Sequence, residues 1–145
     1  MGSVLNLYKK ISSLAVVDSA VTSLNETKET AADLNALQLF LGIRIDGKNI
    51  TPQYSPFTVE IKKTKGQVTD RVTLKDTGAF YSGLTLEATK DAISFFSTDE
   101  KSASLENKYA KDKPIFGLTN ENKQTYVKGV LGQTFFSKIR KILGL

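Results

Sequence analysis

Val72-Thr-Leu-Lys-Asp-Thr-Gly-Ala-Phe-Tyr81 runs on through Ser82-Gly-Leu-Thr-Leu-Glu-Ala-Thr89 and, after Lys90-Asp91, into Ala92-Ile-Ser-Phe-Phe-Ser97. Tyr81, Gly83, Thr85, Glu87 and Thr89 alternate against Ser82, Leu84, Leu86 and Ala88. That period of two predicts a half-buried antiparallel hairpin, with strands over 81–89 and 92–97 and the apolar face packed on helices. Lys90-Asp91 is its turn, and Arg71 to Leu74 predicts a further short strand. Asp76-Thr77-Gly78 predicts the entry to the hairpin. Gly78 supplies a positive φ, and the Asp76 or Thr77 side chain bonds nearby backbone.

Outward from the hairpin the period changes to helical. Val4, Leu7, Tyr8, Ile11, Leu14 and Ala15 recur at three- and four-residue steps and predict one face of an N-terminal helix. Val17, Val21 and Leu24, then Ala31, Leu34, Leu37 and Leu41, continue the pattern, with polar Asn25 to Glu29 as an exposed face or a break. Gly42 is the expected stop, and Asp46-Gly47 between Ile43-Arg-Ile45 and Asn49-Ile50 predicts a chain reversal. Ser55-Pro56 has the form of an N-cap and a first-turn proline. The helix it opens, Pro56 to Lys65, is expected to bury Phe57 and Ile61, expose Lys62, Lys63 and Lys65, and end at Gly66.

Asp99 to Lys113 is polar and predicts a mobile loop or a short helix. A second distinctive run, Lys113-Pro-Ile-Phe-Gly-Leu-Thr119, leads into the last helix, capped by Thr119 or Asn120. Its stripe is Val127, Val130, Leu131, Phe135, Ile139, Ile142 and Leu143, widened by Phe136. Lys138, Arg140 and Lys141 sit near the C-terminal end, where cations are favoured. Phe135 and Ile139 are expected to pack on the sheet face bearing Leu84 and Leu86. The pattern as a whole is an α+β fold of N-terminal helices, a small antiparallel sheet with a hairpin and a long C-terminal helix, in a single domain over residues 1–145.

Composition narrows the chemistry. With 145 residues, 40% of them hydrophobic, the chain can bury one core. It has no Cys and no His, so disulfides, thiolate metal sites and an imidazole base are excluded. The first residues contain no apolar leader and no run approaches a membrane span, so a soluble, non-membrane protein is expected. Asp76-Thr77-Gly78 suits a turn better than an aspartic-protease motif, which needs paired aspartates in a two-lobed β architecture. Asp99-Glu100 offers too few oxygens for a hard cation, and Gly78 to Gly83 lacks the Lys-Ser/Thr of a phosphate loop. No catalytic, metal or cofactor residues are expected, and the chain is read as a non-enzyme.

The net charge of +5 is uneven: residues 76–100 hold one basic and five acidic residues, and residues 101–145 hold nine basic and three acidic. Opposite patches on one small domain suit head-to-tail contact between copies. The same lysines support a rival reading as a small basic nucleic-acid-binding protein, through Lys62, Lys63 and Lys65 and through Lys138, Arg140 and Lys141 beside Phe135 and Phe136.

Asp46-Gly47, Tyr54-Ser55-Pro56, Lys62 to Gly66, Val72 to Phe80 and Pro114 to Thr119, in that order before a last helix, resemble the virion morphogenesis and tail-completion proteins of tailed bacteriophages. The resemblance covers residues 40–145. The chain departs from that pattern in lacking a His-Gln-Phe-Gly segment and an Arg before the proline run, and in carrying Phe80-Tyr81 where Leu is usual. The resemblance implies a structural subunit of the head-tail junction, in a homo-oligomeric neck or tail-completion ring. Its neighbours would be neck, portal-connector or tail-tube proteins, with DNA passing close by. It would be made in the bacterial host cytoplasm and located in the virion. Asp76, Thr77 and Gly78 are the candidate turn residues, and Lys138, Arg140 and Lys141 the candidate assembly residues.

Overall fold

The computed structural model describes residues 2–12 and 15–145. Helices α1 (Gly2–Ser12), α2 (Ala15–Glu26) and α3 (Lys28–Phe40) precede α4 (Pro56–Thr64) and the single turn α5 (Ala79–Ser82). Strands β1 (Leu84–Ala88) and β2 (Ile93–Ser97) form the hairpin. Then come α6 (Ser102–Tyr109), α7 (Asn120–Tyr126), a π-helical turn at Val127–Leu131 and α8 (Gly132–Leu143). The class is α+β, with a two-stranded antiparallel sheet and a long C-terminal helical run.

Local sequence chemistry explains most of the ends. The Ser55 Oγ accepts from Thr58 N–H at 3.2 Å with Pro56 in the first turn, and the Thr119 hydroxyl accepts from Asn122 N–H at 3.2 Å. At the far end of α4, Gly66 takes φ +65°. Its N–H and that of Gln67 donate to the Lys63 and Lys62 carbonyls. Gly42, at φ +75°, closes α3 in the same way, with its own and the Ile43 N–H donating to Leu39 and Gln38. The polar stretch after Leu24 is a break: α2 ends at Glu26 and α3 starts at Lys28. The Asp46-Gly47 reversal forms as expected, with Ile43 bridged to Asn49.

In the hairpin Leu84, Leu86 and Ala88 are buried while Glu87 is exposed, the alternation expected from sequence. Helices α2 and α3 cover β1. One part of the core gathers Leu39, Ile50, Val72, Leu74, Phe80, Leu84, Tyr109 and Ile115. The other gathers Ala31, Leu86, Ala88, Leu118 and Tyr126.

Several expectations are corrected. The first strand is shorter than 81–89, because Tyr81 and Ser82 belong to α5. Gly78 has the expected positive φ, +96°, but it opens that helical turn instead of the hairpin. Arg71 to Leu74 forms no strand; its backbone bonds go to side chains, as described below. Asp99 to Lys113 does contain a short helix, α6, one of the two forms expected of it, and its Tyr109 is buried. On α4 Phe57 is 76% exposed and Ile61 41%, and Lys62 is 7% exposed, against expectation; Lys63 and Lys65 are exposed as expected. On α3, Leu37 and Leu41 are exposed, and the buried row is Ala31, Asn35, Gln38 and Leu39.

The long final helix is not continuous. Gly129 has φ −83° and ψ −117°, outside helical values, and a Cβ on Gly132 would lie 2.5 Å from the Val127 carbonyl oxygen. The kink turns α8 onto α2 and α1. Phe135 therefore lies beside Ala20, Leu24 and Leu131 instead of on the Leu84–Leu86 face. No residue of α8 is fully buried. Of the expected face of α1, the Ile11 side chain and Leu14 lie outside the described residues. Val4, Leu7 and Tyr8 are exposed.

Candidate functional site

The segment 72–78 is held by side chains that reach it from α4 and from the loop before it. Tyr54 Oη accepts from two successive amides, Thr73 N–H at 2.9 Å and Leu74 N–H at 3.0 Å. In the same stretch Leu74, although not glycine, takes φ +57°, a left-handed conformation that the surrounding bonds must hold. Lys62 Nζ donates to Lys75 O at 2.6 Å and to Gln67 Oε1 at 3.0 Å, and stands 4.9 Å over the Tyr54 ring. From the other side the Tyr81 hydroxyl donates to Thr73 O. Burial pushes the Tyr81 phenol well above its usual range.

Asp76 follows this anchored stretch on the rim of a cleft of about 390 Å³ between α4, α5 and α6. Lys65 Nζ donates to Asp76 Oδ1 at 2.6 Å, and Lys101 Nζ lies 3.8 Å from Oδ2. The Lys65 hydrogen bond holds the Asp76 carboxyl below the usual carboxylate range. Thr77 Oγ1 accepts from Ala79 N–H at 3.3 Å, so Asp76, Thr77 and Gly78 lead into the helical turn α5 and not, as expected, directly into the hairpin. Tyr54, Leu74, Phe80, Leu105 and Tyr109 also line the cleft.

The basic candidates lie elsewhere. On α8 Lys138 bonds Glu26 of α2 at 2.9 Å, while Arg140 and Lys141 are exposed. On α4 Lys62 is buried, Lys63 pairs with Glu60 at 3.1 Å and Lys65 with Asp76. The acidic stretch is likewise partly engaged within the chain, through Asp76 and through Asp99, whose Oδ1 accepts from Lys101 N–H at 2.9 Å. Glu87, Asp91 and Glu100 are exposed.

Sequence reasoning missed Tyr54, Lys62, Asn35 and Gln38. Asn35 Nδ2 donates to Ile115 O at 3.2 Å and its Oδ1 accepts from Gly117 N–H at 3.3 Å. Gln38 Oε1 accepts from Thr119 N–H at 2.8 Å and its Nε2 donates to Gly117 O at 3.2 Å. The amides of α3 thus satisfy the buried backbone of the Pro114–Thr119 run, which forms no sheet of its own. The available signal was the three-residue spacing of Asn35 and Gln38 within an otherwise apolar row. Among the described residues no group of three acidic side chains is placed to hold a metal, and no helix is long and apolar enough to cross a membrane. Compared with models of protein families, with curated proteins and with solved structures, the chain matches none.

Proposed function

We propose that this chain is a structural subunit of a tailed-phage virion at the head-tail junction, acting by protein–protein assembly in a neck or tail-completion ring. The observation that carries the reading is the helical flank. On α1, Val4 is 71% exposed, Leu5 61%, Leu7 42% and Tyr8 70%, and Phe136 on the neighbouring α8 is 61% exposed. So many exposed large apolar side chains on two helices that touch mark this flank as a contact region. Arg140 and Lys141, also on α8, are exposed. The ordered run of motifs over residues 40–145 adds what kind of assembly this is. The nucleic-acid alternative is weaker, because Lys62 is buried and Lys63 and Lys65 already have carboxylate partners, which leaves less free positive charge on this segment for phosphates.

The test is incorporation into particles. The double variants Val4→Asp/Tyr8→Glu and Arg140→Glu/Lys141→Glu should fold, as judged by circular dichroism, yet enter particles poorly, with tails failing to join. Normal incorporation of both would refute the assembly reading. Salt-sensitive DNA binding lost in the second variant, with incorporation intact, would favour the nucleic-acid reading.

A further inference from the structure

The outer edge of β2 is open. Thr98 N–H donates to Gly83 O at 3.0 Å and Thr89 N–H to Ala92 O at 2.8 Å. With Thr85 opposite Phe96 and Glu87 opposite Ser94, the amides of Ser94 and Phe96 face β1. Those of Ile93 and Phe95 face away, and among the described residues they have no hydrogen-bond partner. Beside that edge lies an apolar groove of about 400 Å³, walled by Ile93, Phe95, Phe116, Val127 and Leu131. Ile93 is 55% exposed. The strand Ile93-Ser-Phe-Phe-Ser97 contains no charge, proline or glycine, so it has none of the usual protections of an edge.

We propose that the occupant of this edge is β2 of a second copy, paired antiparallel about a two-fold axis through Ser94. The two hairpins then join into one four-stranded sheet. Charge and side-chain type select this register. A two-fold at Phe95 sets Asp91 against Asp99 of the second copy, and one at Phe96 sets Ile93 against that carboxylate. Centred on Ser94, Ile93 faces Phe95 of the second copy, Asp91 faces Ser97 and Asp99 faces Thr89. Ile93 and Phe95 exchange backbone hydrogen bonds at both ends of the pair, in a β-branched to aromatic pairing that favours sheets. The side chains of Ile93 and Phe95 share the face of Leu86, which brings those of each copy over the apolar groove of the other. The contact is isologous and closed, so it stands apart from any head-to-tail ring contact on the α1–α8 flank. It does not depend on the phage reading.

Sedimentation of the purified chain from micromolar to millimolar concentration should show its mass doubling. Hydrogen exchange should slow with concentration at the Ile93 and Phe95 amides, while those of Ser94 and Phe96 stay protected throughout. Because the chain has no Cys, Ser94→Cys gives a direct geometric check. Paired residues of this non-hydrogen-bonded kind have Cα atoms about 4.5 Å apart, within disulfide reach. Oxidised glutathione, accepting the two electrons, should then yield a covalent dimer of Ser94→Cys but not of Thr85→Cys on β1. Ile93→Pro removes only an outward-facing N–H and should leave a folded monomer. Should that variant unfold, Ile93→Lys is read instead. A mass that stays monomeric, with exchange at Ile93 and Phe95 independent of concentration, overturns the proposal. So does a dimer that persists in the folded Ile93 variant.

Discussion

Replacing Tyr54 by Phe removes one oxygen atom and leaves the ring, on which Lys62 sits, in place. That oxygen is the acceptor for Thr73 N–H and Leu74 N–H, and both residues are buried, Thr73 at 1% and Leu74 at 6% exposure. Each buried amide left without a partner costs about 1–3 kcal/mol. Tyr54 is itself only partly buried, so water can recover part of the loss, and about 2–3 kcal/mol is expected in total. For a chain of this length each kcal/mol lowers Tm by roughly 3 °C, so Tyr54→Phe should melt about 6–9 °C below the parent. Thermal and urea unfolding followed by circular dichroism measure it. Tyr8→Phe, at an exposed position, is the control and should not move. A Tyr54→Phe curve within a degree of the parent would show that the 72–75 segment is not held by this hydroxyl.

Two further outcomes follow from the same region. Gly78→Val places a β-branched residue at φ +96°, and although a Cβ there meets no neighbouring atom, the backbone alone should cost about 1–2 kcal/mol or more. A stability equal to the parent's would refute the strain. The Asp76 carboxyl, depressed by the Lys65 hydrogen bond, contributes stability that is fully present above its ordinary, unfolded-state pKa. The contribution is lost as pH falls below that value through the folded one, so neutral to mildly acidic solution should show no change. Lys65→Met should raise the Asp76 pKa, read by NMR titration, at a stability cost of only about 0.5 kcal/mol because the pair is half exposed. An Asp76 pKa unmoved by that substitution would refute the pairing.

The parts of the fold legible in the sequence are those where a local rule and the tertiary structure agree. Ser55 and Thr119 cap helices, Gly42 and Gly66 end them, and the Leu84, Leu86, Ala88 alternation sets the buried face of β1. In each case the backbone requirement lies within a few residues of the side chain that meets it. The errors have a different origin. On α4 the expected faces followed hydrophobicity, yet Lys62 is buried because Lys75 O and Gln67 Oε1 satisfy its ammonium, a partnership set by residues up to thirteen positions away. On α3 the same holds for Asn35 and Gln38, which are buried against a loop about eighty residues downstream. A polar residue with a distant partner is indistinguishable, by period alone, from one facing water.

The candidate assembly surface follows from the same distinction. The unbroken stripe from Val127 to Leu143 reads as the buried face of one straight helix, because periodicity has no means of registering that Gly129 leaves helical values and that Gly132 packs against the Val127 carbonyl. The kink rotates the second half of the stripe away from the sheet and onto α2 and α1, leaving Val127, Val130 and Phe136 exposed. An apolar pattern strong enough to predict a core helix therefore ends up supplying surface. The charge pattern misleads in the opposite sense: Asp76, counted toward an acidic patch, is largely neutralised by Lys65 within its own chain. What remains for contact with other molecules is apolar area on the helical flank and the open backbone of β2, with charge only at their margins. Association through these surfaces should accordingly persist in salt at concentrations that screen exposed ion pairs.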